Sequence, residues 1–303
     1  MSPAFKYYRP SPMLADIVEA FCDWDVACGD AATTFTVKVP PGTSMFLVMQ
    51  YRVPYRMDWR FGCRDYAHRK YQNFANHIRS GIVTVSPAGP LGVITACLKP
   101  EAAVRLLGAP IHEFADTQIE LSSLFGAGEM SLLEEMLAEA SDSAERVAGL
   151  ETFLIRYVRP LQPNFIAGQG ALLLRQNPSL SRRQLASKLD VSPRHLFRCF
   201  QLMFGTGPKQ FARLARIEKV LTARRSGTAW SNIAYACGFA DQAHMIHDFI
   251  DIVGQSPENF FRSVTACNGK VCFRAVEQQH SRSAANTRTR EISDKAGPRR
   301  LGS

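Results

Sequence analysis

An internal repeat narrows the choices for this 303-residue chain more than any other property. Leu185-Ala186 recurs as Ile233-Ala234, Leu196 as Met245, Phe200 as Phe249, Gly205 as Gly254 and Pro208 as Pro257. The offset is 48 residues before the central turn and 49 after it, so the second copy has one extra residue in its turn. A fixed set of apolar, glycine and proline positions at one offset means two copies of a single supersecondary unit.

Each copy reads as a short helix, a tight turn and a second helix. In the first copy Ser181 is an N-cap with Gln184 three residues on, a capping box, and Leu180 and Leu185 supply the apolar staple across it. The helix runs from about 182 to 189, and Asp190-Val191 makes the turn. Ser192 caps the next helix, Pro193 takes its first position, where a missing N–H costs nothing, and Gly205 ends it. Leu196, Cys199, Phe200 and Met203 fall on one face and should pack inward, while Arg194, Phe197, Arg198 and Gln201 fall on another. In the second copy Trp230, Ile233, Ala234 and Cys237 form the inner stripe, Gly238-Phe239 the turn, and Asp241 the cap. Met245, Phe249 and Ile252 then face inward, and Gln242, Ala243, Ile246 and His247 outward. A helix with Arg and Gln outward suits the major groove of DNA, where Arg reads guanine O6 and N7 with two hydrogen bonds. A generic helical hairpin with solvated arginines fits the first unit equally well when that unit is taken alone. Residues 208–225 read as one connecting helix carrying Arg213, Arg216, Lys219, Arg224 and Arg225, a strut able to hold two reading helices in successive grooves about 34 Å apart.

Charge is distributed unevenly. The formal net charge is +9, yet residues 1–163 hold 15 Lys/Arg against 18 Asp/Glu, residues 164–263 hold 13 against 6, and residues 264–303 hold 8 against 3. An acidic first part and a basic remainder suit a regulatory domain joined to one that binds a polyanion. Hydrophobic residues make up 46% of the chain, enough for a sizeable core.

The first half reads differently. Residues 34–39, 45–51, 81–85 and 92–97 are β-rich runs punctuated by Pro40-Pro41-Gly42 and by the 87–92 turn, which predicts a small β-barrel or sandwich. Helical patterning follows over 101–107, 129–140 and 143–158. The Val147, Leu150, Leu154, Val158 stripe serves either the core or a dimer seam, with the core favoured. Arg159-Pro160-Leu161-Gln162-Pro163 stops the helix and reads as a linker. The fold class expected is therefore α+β: an N-terminal sensor or dimerisation domain over 1–160, with a small cupin-like β-barrel and helices, and an all-α domain over 164–263. The helix-turn-helix units fall at about 181–204 and 229–253, and a basic tail, read as disordered from its few apolar residues, covers 264–303.

The stretch 180–262 resembles the DNA-binding domain of the AraC/XylS family of transcription regulators. The family's second signature is present as Ile233-Ala234-x-x-Cys237-Gly238-Phe239-x-Asp241-Gln242-x-His244, followed by Phe249, Gly254-x-Ser256-Pro257 and Phe260. The resemblance implies base-reading roles for Arg194, Phe197 and Arg198 in the first unit and for Gln242, Ala243, Ile246 and His247 in the second. Arg198 keeps the arginine usual at its place. His247 stands where an arginine is usual and Ile250 where a lysine is common, with Asp248 and Asp251 close by, so the two reading heads are expected to be unequal. Tyr8-Arg9-Pro10-x-Pro12-x-Leu14 and Leu98-Lys99-Pro100-x-Ala102-x-x-Arg105-Leu106-Leu107-Gly108 resemble, more loosely, the N-terminal domain of one branch of AraC-like regulators. That similarity implies a small barrel that senses a signal or mediates dimerisation.

Enzymatic readings find little footing. The histidines before the linker, His68, His77 and His112, form no H-x-H pair, so a catalytic metal is not expected. Among the cysteines there is no C-x-x-C pair, and Cys63-Arg64 lacks the proline that a DNA-repair alkyl acceptor would need; Cys267 and Cys272 read as ordinary tail thiols rather than a redox pair. No P-loop and no G-x-S-x-G occurs. No enzyme activity, cofactor or metal is expected. The expected partner is double-stranded DNA, with RNA polymerase, a small-molecule effector and a second copy of the chain as candidates. The alternative is a DNA-binding or architectural protein without a ligand, controlled by a partner protein. Without an apolar signal segment or a long apolar run, the expected location is the cytoplasm and not the membrane.

Overall fold

The computed structural model describes residues 4–26, 37–52, 56–61, 64–66, 73–86, 91–160, 165–266 and 270–271. The first half supplies strands β1 (Ala4–Tyr8), β2 (Val18–Val26), β3 (Val37–Val39), β4 (Met45–Gln50), β5 (Arg56–Phe61), β6 (Arg64–Tyr66), β7 (Asn73–Asn76), β8 (Ile82–Ser86), β9 (Leu91–Leu98) and β10 (Ile119–Glu120). A short β11 (Lys270–Val271) comes from beyond the helical region. One sheet has the order β1-β2-β9-β4-β7-β10 and the other β11-β3-β8-β5-β6. The pairings are antiparallel except that of β11 on β3, which is parallel. Among the described residues no ladder joins the two sheets, so the barrel expected from the strand pattern is open where it is described. The start of the expected strand at Thr34, most of the turn led by Pro87, the linker residues 161–163, Cys28, Cys63, His68 and the tail thiols Cys267 and Cys272 lie outside the described residues, as does the tail from 272 onward.

β1 and β2 were not legible in the sequence. The reason is visible in β2, VEAFCDWDV, which places Glu19 and Asp23 in the interior, at 8% and 1% exposure. Carboxylates inside a strand break the apolar alternation that marks one, and they are tolerated here because each meets an arginine from a distant helix. The other central strands follow the pattern. Met45, Leu47 and Met49 of β4 and Ile94, Ala96 and Leu98 of β9 line one face, as successive side chains of a strand alternate.

The helices are α1 (Val104–Leu107), α2 (Ser122–Phe125), α3 (Ala127–Glu139), α4 (Ser143–Ile155), α5 (Ile166–Gln176), α6 (Arg182–Lys188), α7 (Pro193–Phe204), α8 (Pro208–Arg225), α9 (Trp230–Ala236), α10 (Gln242–Val253) and α11 (Pro257–Ala266), with a 3-10 turn at Ile111–Phe114. One apolar core runs without a break from the strand face through α3 and α4 to α5, α6, α7 and the start of α8. Val147, Leu150 and Leu154 are spent on this core, which resolves the choice between core and dimer seam for that stripe. A second core gathers the rest of α8 with α9, α10 and α11. The first helix-turn-helix unit thus shares its interior with the N-terminal half, whereas the second has its own. Two glycines bring α5 close to its neighbours: a Cβ on Gly168 would lie 2.6 Å from the carbonyl oxygen of Glu101, and one on Gly170 2.6 Å from the Phe200 ring of α7.

Polar seams complete the packing. Arg146 of α4 reaches Asp23 at 3.1 Å and Asp25 at 2.9 Å, lies over the Tyr51 ring, and shares Asp23 with the Tyr51 hydroxyl. Arg175 of α5, 6% exposed, donates to both oxygens of Glu101 at 2.7 and 2.8 Å and to both of Glu19 at 3.0 and 3.2 Å. Burial opposes the charge on Arg175, but the two carboxylates outweigh it and hold the guanidinium above its ordinary range. Arg175→Ala would leave both carboxylates inside without their cation, and breaking a buried pair in this way costs about 3–5 kcal/mol. Urea unfolding of the full chain should show a loss of that order; a loss below about 1 kcal/mol would mean the pair does not hold α5 in place.

Candidate nucleic-acid interface

The duplication seen in the sequence extends to individual backbone bonds. In the first unit the N–H of Val191 donates to Ala186 at 3.0 Å, and in the second Phe239 donates to Ala234 at 3.0 Å. The left-handed turn position between them is Asp190 (φ 52°) in the first and Gly238 (φ 79°) in the second. Aspartate is among the few side-chain-bearing residues that enter this region at modest cost. The extra residue of the second turn is Ala240, because the caps that follow are offset by 49: Ser192 Oγ accepts from His195 N at 3.1 Å, and Asp241 Oδ1 accepts from His244 N at 2.7 Å. Ser181 and Gln184 form the reciprocal capping box at the start of α6. Gly205 (φ 62°) and Gly254 (φ 87°) end α7 and α10.

These turns orient the second helix of each unit. Leu196, Phe200 and Phe204 of α7 are buried, with Cys199 and Met203 half-buried beside them, and the Phe200, Phe204 and Phe211 rings pack together. On the opposite side Arg194, Phe197, Arg198 and Gln201 are all exposed. Phe197 is 41% exposed because its ring lies over the backbone at Gly207, where a Cβ would come within 2.6 Å of it. On α10 Met245, Phe249 and Ile252 are buried, and Gln242, Ala243 and His247 are exposed. Ile246 differs from the rest of its expected outward set: it is half-buried against the second core. An apolar side chain at the edge of that face gains more from the core than from water. Tyr235 of α9, 88% exposed, is a surface residue that the sequence patterning did not single out.

The two units differ most in charge. Residues 182–204 carry five Lys/Arg and one Asp, whereas residues 230–253 carry no Lys or Arg and three Asp. Arg182, Arg183, Lys188, Arg194 and Arg198 are exposed, and none has an ion pair or side-chain hydrogen bond among the described residues. Four cations of the strut α8, Arg213, Arg216, Lys219 and Arg224, are bound within the protein. Arg213 binds Asp248 at 2.8 Å and Asp251 at 2.6 Å, and Arg216 lies 3.5 Å from Asp248 and over the Phe239 ring. Lys219 donates to the carbonyl of Gln176 at 2.8 Å, and Arg224 lies over Trp230 and donates to the carbonyl of Thr228. Burial pulls the Arg213 guanidinium down, and its hydrogen bonds to Asp248 and Asp251 more than restore it. Asp248, 5% exposed, is the hub that fixes α10 against α8. Hydrogen bonds to charged groups contribute roughly 1.5–3 kcal/mol, whereas an exposed ion pair contributes about 0–1 kcal/mol. Asp248→Ala should therefore lower stability by about 2–3 kcal/mol and Asp251→Ala by less than about 1 kcal/mol, read from urea unfolding midpoints. Equal effects would contradict the assignment of Asp248 as the hub.

A family model described as a helix-turn-helix domain matches residues 185–263. No curated protein sequence matches the chain. Among solved structures, ToxT from Vibrio cholerae aligns with 10% identity over 86% of this chain and 98% of its own, with a TM-score of 0.45. A DNA-binding transcriptional dual regulator from Escherichia coli K-12 aligns with 21% identity over 36% of this chain and 98% of its own, with a TM-score of 0.32. The AraC-like transcriptional activator CuxR aligns with 12% identity over 77% and 91%, with a TM-score of 0.28. No helix among the described residues is long and apolar enough to cross a membrane. The duplicated, capped helix pairs on one strut and the family match agree: residues 185–263 form an AraC-type helix-turn-helix domain.

Proposed function

We propose that the chain is a sequence-specific, double-stranded-DNA-binding transcription regulator whose first helix-turn-helix unit carries most of the recognition. The observation that carries the reading is the contrast between five free cations around α6 and α7 and none on α9 and α10. DNA affinity comes largely from Lys and Arg neutralising phosphates. Arg182, Arg183 and Lys188 are placed to do this, while Arg194 and Arg198 present guanidinium forks and Gln201 an amide to base edges. On α10 Gln242 and His247 offer hydrogen bonds, and Ala243 and Ile246 offer apolar contact to a thymine methyl. That helix adds discrimination more than affinity. RNA polymerase is the partner such a regulator acts on at a promoter.

The N-terminal half is assigned the control function. A cleft of about 260 Å³ opens where α1, the linker, the entry to α5 and the end of α7 meet, and Arg105, Arg159, Phe165 and Met203 are among its lining residues. Two guanidinium groups beside an apolar wall fit a small organic anion, and Met203 connects the cleft to α7. This supports small-molecule control over control by a partner protein alone.

The test of the recognition model uses an operator selected by the protein from random duplexes. A bidentate arginine contact is worth about 1–3 kcal/mol of discrimination, so Arg198→Ala should weaken binding by roughly 5- to 150-fold at pH 8 and relax the sequence preference. His247→Ala should change affinity by less than about threefold, since an imidazole offers a single hydrogen bond where the arginine fork offers two. Equal weakening by the two substitutions would reject the unequal roles, and an absence of any sequence preference at moderate salt would reject DNA reading itself. For the control function, a panel of organic anions should include one that raises the melting temperature of the full chain, an effect lost in Arg159→Ala.

A further inference from the structure

Besides its apolar packing, the strut α8 makes a polar contact with the N-terminal half through the carboxyl group of Glu218. Glu218 Oε1 accepts from the backbone N–H of Thr43 at 2.7 Å, and Oε2 lies 2.8 Å from the Thr43 hydroxyl. The neighbouring Gly42 makes this approach possible, because a Cβ there would sit 2.6 Å from Oε1. The same turn is held from the sheet side: Gly42 N–H donates to Ile78 at 2.8 Å, and His77 Nε2 lies 3.1 Å from the Gly42 carbonyl oxygen. Residues 42 and 43 are thus gripped between the end of β7 and the helix that connects the two helix-turn-helix units.

The surroundings of Glu218 are short of positive charge. From α5 it faces Arg175, whose hydrogen bonds go to Glu19 of β2 and Glu101 ahead of α1, and Glu19 also adds its own negative charge. His77, on the far side of Gly42, is buried and held neutral down to about pH 4, with Arg79 adding to the effect of burial. We propose that Glu218 and Thr43 form a proton-operated latch, by which the N-terminal sheet holds the strut helix more tightly when the carboxyl is protonated than when it is ionised. Both contacts survive protonation: the neutral acid donates to the Thr43 hydroxyl, while Oε1 continues to accept from the Thr43 N–H. Ionisation instead adds a second negative charge beside Glu19, offset only by Thr43 and by an arginine already bonded to two other carboxylates. A displacement of the 42–43 turn by any signal at the sheet would pass directly to α8. This inference does not rest on the DNA-binding reading.

Burial raises Glu218 from its ordinary 4.5 to about 7, against the pull of Arg175 and Thr43. The latched state therefore takes up a proton that the released chain gives up, and the hold is complete below about pH 4.5. It weakens by at most about tenfold per pH unit toward pH 7 and is constant above about pH 8. His77 acts in the opposite sense between pH 6.5 and about 4, because its buried ring must stay neutral. Comparison with Glu218→Gln, which keeps His77 and removes the titration, separates the two.

In urea unfolding of the full chain, the unfolding constant of the wild type divided by that of Glu218→Gln should rise about 40-fold from pH 5 to 7 and level off above about pH 8. A ratio that does not change with pH would overturn the latch. Should the variant fail to fold, the wild type labelled with carboxyl-13C glutamate decides: one carboxyl carbon titrating near pH 7 supports the proposal, and midpoints all below about 5.5 overturn it.

Discussion

The buried guanidinium of Arg175 is the point on which the arrangement of the two halves depends. Glu19 sits near the start of β2, inside the fold, and Glu101 ahead of α1, and neither could remain charged there without a cation. Arg175 answers both from α5, the helix that leads into the first helix-turn-helix unit. The glycines of α5 then allow that helix to approach the Glu101 backbone and the Phe200 ring, so the ion pair and the shared core fix the same interface. Further contacts reach the second unit, including Gly81 N–H to the carbonyl of Ile252 at 2.9 Å and Lys38 to Ser263 at 2.6 Å. The sheet therefore supports both units and leaves the outward faces of α7 and α10 exposed.

One backbone design serves two different surfaces. The units share turn bonds, caps and C-terminal glycines position by position, yet one is cationic and the other is not. The aspartates that make the second unit acidic are largely structural: Asp241 caps α10, and Asp248 and Asp251 bind Arg213. This internal use removes strut arginines from the surface available to phosphate. Its effect is to concentrate positive potential around α6 and α7, where it would both attract a duplex and set its register.

The helical third of the molecule was legible in the sequence because its determinants are local. Caps three residues from their partners, a proline at the first helical position and a glycine at the last can be read within one window, and the repeat supplied an independent check. The structure bears out the capping box at Ser181, the caps at Ser192 and Asp241 and the stops at Gly205 and Gly254. The first half was legible only in part. Strand β2 was missed because Glu19 and Asp23 are satisfied by Arg175 and Arg146, more than 120 residues away in the chain. Ile246 was placed outward because a helical period cannot show that α8 and α11 bring apolar surface around to its edge. For the same reason nothing in the sequence marked Glu218 or Asp248 as the contacts between elements that the fold makes them.

The central claim, that one unit leads and the other follows on a shared duplex, is tested most directly by selecting binding sites for the full chain from a pool of random double-stranded DNA. The expected motif has two adjacent blocks one helical turn apart, one with strongly preferred bases including guanine and the other with weak preferences. Two blocks of equal information content, or the absence of any enriched motif, would contradict it.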